Sequence, residues 1–98
     1  MSFPILFTYK YEEMILRRYK ETVKEPLTGA ELKKLCTEIF NSVYDDDLEG
    51  LEVHQFLYID NDFEQKLEIR DKSFYSEKVS VHLMLKKNYE TTKSTYFS

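Results

Sequence analysis

Hydrophobic and polar positions alternate most regularly in the second half of the chain. In residues 78–87, Val79, Val81, Leu83 and Leu85 oppose Lys78, Ser80, His82, Met84 and Lys86. In residues 63–70, Phe63, Leu67 and Ile69 oppose Glu64, Lys66, Glu68 and Arg70. A period of two sends successive side chains to opposite faces of a strand, so each segment predicts a strand with one apolar face. Residues 51–60 predict a third strand, apolar or aromatic on both faces. Asp60-Asn61-Asp62 is a turn sequence, so residues 51–70 read as a hairpin. The pattern predicts an α+β fold built on a three-stranded antiparallel meander (51–60, 63–70, 78–87).

The first half changes period. Thr28-Gly-Ala-Glu31 is a capping box, with Leu27 and Leu32 at the positions of a hydrophobic staple. Leu32, Leu35, Cys36, Ile39, Phe40 and Val43 follow at helical spacing, which predicts a helix to about Val43 packed on the sheet. Residues 3–9 predict a short strand with Pro4 near its start. Residues 10–24 fit two patterns. Tyr11, Ile15, Tyr19 and Val23 recur every four residues among good helix formers, which favours a helix. The alternative is a strand hairpinned onto residues 3–9, with a turn that would have to come from Lys-Tyr-Glu-Glu. The meander is thus expected to pack on one or two N-terminal helices. Gly50 frees the chain to turn into residue 51, and residues 71–77 form a longer connection. Residues 88–98 are polar and aperiodic and read as a mobile tail. Residues 1–98 form one domain.

Charge is unevenly spread. The net charge is −4, but residues 44–65 hold eight acids and no Lys or Arg. That argues against direct nucleic-acid binding, which needs cations against phosphate. It points instead to a partner protein with a basic surface. One cysteine forbids an internal disulfide, and residues 1–10 lack the basic start and cleavage site of a signal peptide. No apolar run approaches a membrane span. These features favour a cytoplasmic protein that does not bind membrane.

Candidate chemistry is sparse. Asp45, Asp47, Glu49 and Gly50 match the start of an EF-hand loop, but Glu52 and Phe56 stand where an apolar residue and the bidentate Glu belong. No metal is expected. The plain reading of Asp45, Asp46, Asp47 and Glu49 is a solvated acidic loop; the functional reading, with Asp60 and Asp62, is a partner-binding acidic patch. Aspartates just after a helix sit at the unfavourable end of its dipole, and nothing in the predicted fold requires them there. Cys36 lies on the apolar helix stripe and reads as a core residue. His54, Phe56 and Tyr58 alternate with Val53, Leu57 and Ile59. In a simple meander they would share one surface with His82 and Met84, either covered by the N-terminal segment or an oligomer partner, or exposed as a binding surface of the aromatic and Met-rich kind enriched at interfaces. Gly29 and Gly50 are the only glycines, so no phosphate loop exists, and no catalytic motif or cofactor site stands out.

Thr22-Val-Lys-Glu-Pro-Leu-Thr28, followed by an amphipathic helix, is similar to the strand–Glu-Pro–helix junction of ubiquitin-like folds. Val79-Ser-Val-His-Leu-Met-Leu85 looks like their final strand. The resemblance covers about a quarter of the chain and implies a β-grasp (ββαβββ) as the alternative fold. The hairpin at 51–70 departs from the pattern. So does the C-terminus, which lacks the terminal Gly-Gly used in conjugation. The function expected is a non-catalytic protein-binding module of the inhibitor, immunity or phage-blocker type. It would act through the acidic patch and the exposed sheet face. The alternative is an assembly subunit that homodimerises through an aromatic face containing Phe56, Tyr58 and Met84.

Overall fold

The computed structural model describes residues 2–43 and 46–87, with Asp47 described by its backbone alone. Two strands open the chain, β1 (Phe3–Tyr11) and β2 (Met14–Val23). The short β3 (Leu27–Thr28) leads into α1 (Gly29–Ser42). After a single 3-10 turn at Asp46–Leu48 come β4 (Leu51–Ile59), β5 (Lys66–Glu68), β6 (Phe74–Tyr75) and β7 (Val79–Lys87). One five-stranded sheet has the order β2-β1-β7-β4-β5, and β3 pairs with β6 in a separate two-stranded ribbon. The sheet is mixed: β1 and β7 run parallel at its centre, and all other neighbours are antiparallel. No described helix is long and apolar enough to cross a membrane.

The first correction concerns residues 10–24, which form a strand and not a helix. A four-residue repeat is also a multiple of two, so the stripe Tyr11/Tyr19/Val23 serves a strand equally well. Pairing decides the matter. β1 buries Ile5, Phe7 and Tyr9 completely and needs a hydrogen-bonded neighbour on each side. β2 supplies one through the register Phe3↔Val23 to Tyr11↔Met14. The turn uses no glycine. Instead Glu12 takes φ 55°, in the left-handed region that costs a non-glycine residue about 1 kcal/mol. A bulge opposite Tyr9/Lys10 then breaks the alternation, pairing Ile15 with Lys10 and leaving Leu16 packed on the core. Among the described residues, one α-helix packs on the sheet.

The second correction is the strand order. The middle strand of the expected meander, 63–70, shrinks to the three residues of β5 and moves to the outside, beyond β4. Its three residues are all exposed and two of them, Lys66 and Glu68, carry charge, which suits an edge. β7 takes the place between β4 and β1 because Val79, Val81, Leu83 and Leu85 are all buried, a face fit for the sheet centre.

Local signals hold. The Glu31 amide donates to Thr28 Oγ1 at 3.2 Å and the Thr28 amide donates to Glu31 Oε1 at 3.0 Å. Hydrogen bonding by Thr28 also holds the Glu31 carboxyl below its ordinary pKa. Leu32, Cys36, Ile39 and Phe40 are buried against the sheet. Tyr9 crosses that interface: its hydroxyl donates to the Cys36 carbonyl at 2.7 Å, and its ring lies 5.6 Å from that of Phe40. Leu48 plugs one end of the core, and Gly50, at φ 79°, turns the chain into β4 as expected. Gly29 is required for a different reason. Its amide donates to the Ser73 carbonyl at 2.8 Å, and a Cβ there would overlap the Arg70 carbonyl. The expected tail at 88–98 lies outside the described residues.

Candidate functional site

The sheet has two faces, and α1 covers only one. On the covered face, β1 contributes Phe3, Ile5, Phe7 and Tyr9, and β7 contributes Val79, Val81, Leu83 and Leu85. The residues between them point the other way, where no described helix or strand lies across the sheet. The pairing register gives that open face row by row. One row reads Arg18, Thr8, His82, Leu57 and Glu68. A second pairs Lys20 with Leu6 and Leu6 with Ser80, and a third runs Ile15, Lys10, Met84 and Gln55. Ile59 pairs with Lys66 at the β5 edge.

A bulge in β4 determines which β4 residues belong here. Val53 pairs with Leu85, but Gln55 pairs with Met84, so His54 is the extra residue. An extra residue in one strand flips everything beyond it to the other face. Phe56 and Tyr58 therefore pair with the buried Leu83 and Val81 and pack on the core. Lys33 of α1 sits 5.8 Å from the Phe56 ring centre, and Tyr58 makes an edge-on contact with Tyr75 at 5.2 Å. This corrects the expected surface: Phe56 and Tyr58 are not beside His82 and Met84. Leu57 and Gln55 are. An aromatic face shared by Phe56, Tyr58 and Met84 does not exist.

The open face combines aliphatic and cationic groups. Leu6 and Ile15 are 38% and 45% exposed. Leu57, Ile59 and Met84 are half-buried. Among the described residues on this face, Lys10, Arg18, Lys20 and Lys66 stand against the carboxylate of Glu68, while Lys86 and Glu52 pair at 3.8 Å. Those cations come from β1, β2 and β5, so they look scattered in the sequence and converge only in the sheet. Near one end, Pro4, Leu6, Lys20, Asn61, Lys78 and Ser80 line a groove of about 370 Å³.

His82 sits at the centre, between Thr8 and Leu57. Its Nδ1 is buried without a hydrogen-bond partner. Desolvation lowers its pKa, and Lys66, Lys10 and Arg18 lower it further. Both effects favour the neutral ring.

The acidic residues fall elsewhere, and in two groups. Asp46 and Glu49 are exposed just before β4. Asp60 and Asp62 follow its far end, roughly 25–30 Å away along a strand of this length. Asp45 and the side chain of Asp47 lie outside the described residues. Asp60 also has a local structural role, accepting from the Asp62 amide at 3.0 Å in the loop closed by Asp60 N to Gln65 O at 2.9 Å. With Tyr58, Phe74, Tyr75 and Glu77, Asp60 and Asp62 line a recess of about 210 Å³. His54 is exposed at the bulge.

Cys36 is fully buried and its thiol is pushed up to about 12, chiefly by desolvation, which removes it as a nucleophile at neutral pH. Among the described residues, no three His, Cys, Asp or Glu side chains gather as metal ligands would. The cationic open face has no signal along the chain, because strand register and not sequence position brings Lys10, Arg18, Lys20 and Lys66 to one face. Comparison with protein-family models, curated proteins and solved structures finds no match.

Proposed function

We propose that the protein is a non-catalytic protein-binding module whose working surface is the open face of the sheet. One observation carries the reading: Leu6, Ile15, Leu57 and Met84 lie on a sheet face that no described helix or strand covers. Exposed aliphatic area amid polar residues is the pattern of an interaction surface. A module of this kind blocks a partner by occupying its surface, as an inhibitor or immunity protein does. The acidic groups at the two ends of β4 would act as separate steering contacts rather than one patch. Homodimerisation through the open face is disfavoured, because a symmetric pair would set Lys10, Arg18, Lys20 and Lys66 against their copies.

The finer fold we propose is the β-grasp. It is supported by the N-terminal hairpin leading into α1 and by a last strand parallel to the first at the sheet centre. Residues 22–28 and 79–85, which carry the ubiquitin-like resemblance, fall at those two points.

The test uses the full chain, tagged, against lysate of its source cell, beside Leu6→Glu/Ile15→Glu and Asp46→Lys/Asp62→Lys. Both substituted pairs are exposed, so folding is expected to survive and is checked by circular dichroism. Partner capture lost in the first variant and retained in the second supports the open face. Equal capture by the wild type and the first variant refutes it. Sedimentation at micromolar concentration is expected to show a monomer.

A further inference from the structure

Resting on the docking reading above, we infer that the open face takes a protein segment that is aliphatic at its centre and acidic at its margins. Charge complementarity sets the partner's chemistry. Lys20 lies on β2 at one lateral edge of the sheet, and Lys66 shares β5 with Glu68 at the other edge, about 19 Å away at the usual strand spacing. Arg18 and Lys10 extend the basic margin beside Lys20. Between these margins lie Leu6, Leu57 and Met84. An apolar centre inside a charged rim is how protein interfaces are arranged, and rim charges select the sign of the partner. For this face the complement is acidic, the reverse of what residues 44–65 suggest for their own contacts.

The groove by Pro4, Leu6 and Lys78, of about 370 Å³, has room for one aliphatic side chain at the end of the segment.

Two other anionic occupants fit less well. Single-stranded nucleic acid is bound on sheets by stacking bases on aromatic side chains, and the open-face residues named above include none. The net charge of −4 also repels a polyphosphate chain at long range. An anionic membrane would favour a longer run of cations and interfacial aromatics than this face offers.

The test is titration of the full chain followed by amide NMR. The probes are a peptide with a Leu-Val-Leu centre between pairs of glutamates, its glutamine counterpart and its lysine counterpart. The glutamate peptide is expected to shift amides of Leu6, Thr8, Lys10, Ser80, His82 and Met84. It is expected to bind about tenfold tighter than the glutamine form, as several exposed ion pairs would give. That preference should vanish at about 1 M salt, where screening acts over about 3 Å. In Lys20→Glu/Lys66→Glu, whose substitutions are both exposed, the order should invert in favour of the lysine peptide. If the glutamine peptide binds as tightly, the acidic-partner inference falls while the docking reading stands. If none of the three shifts open-face amides, both fall. Tighter binding to the same amides by an oligothymidine or by phosphatidylserine vesicles overturns the protein assignment.

Discussion

The two faces of the sheet are built from the same strands, residue by residue, yet they obey different constraints. On the covered face, Ile5, Phe7 and Tyr9 have no exposed surface and meet Leu32, Cys36 and Phe40 of α1. On the open face, their immediate neighbour Leu6 is exposed, Lys10 is half-buried and Thr8 is buried. The covered face is held by apolar burial, which is non-directional and scales with area. The open face contributes little to that core, so its residue choice is left to what it contacts outside. Exposed aliphatic side chains there are a cost to solubility that folding does not require. That difference is the physical ground for reading one face as structure and the other as function.

The comparison breaks most readily through paired truncations. Phe7→Ala removes a fully buried ring and should cost about 4 kcal/mol, whereas Leu6→Ala on the next residue should cost under about 1 kcal/mol. Urea denaturation midpoints measure both. Similar losses would mean that the open face is covered in solution. Next in size is Gly29→Ala at the α1 start. A methyl group there must displace the Arg70 backbone, and about 2–3 kcal/mol of destabilisation is expected, despite alanine's better helix propensity.

A smaller change has the opposite sign. Glu12→Gly at the β1–β2 turn relieves the left-handed backbone and should stabilise by about 0.5 kcal/mol, raising the urea midpoint. A loss of stability would count against the hairpin turn described for residues 11–14. The smallest effect is a pH dependence on the open face. Burial lowers the folded-state pKa of His82, helped by Lys66, Lys10 and Arg18. The unfolded chain therefore takes up the proton first, near its ordinary value of about 6.5. Stability is fully present above that value and declines as pH falls through it, levelling off once folded His82 also titrates. Denaturation midpoints between about pH 7.5 and 5.5 should fall more for the wild type than for His82→Gln. An equal slope in both would assign the dependence to other groups.

Local chemistry was legible in the residues themselves. The Thr28–Glu31 box, the α1 stripe and the turn at Gly50 each depend on neighbours within a few positions, and each is present as expected. The alternation in 79–85 likewise marked a strand whose one face must be buried. The candidate site was far less legible. Asp46, Glu49, Asp60 and Asp62 stand in one acidic stretch of sequence, but β4 holds the two groups apart. Phe56 and Tyr58 were placed on the wrong face because a one-residue bulge at His54 leaves no mark in a pattern apolar on both sides.

The sequence by itself determined where the chain could form helix and strand, since capping and periodicity are short-range properties. Tertiary structure alone decided that residues 14–23 pair as β2, that β7 lies between β1 and β4, and that Lys10, Arg18 and Lys66, from three strands, lie around His82. Strand pairing joins residues far apart in the chain, and its choice depends on which apolar faces can be buried together. No local window contains that information.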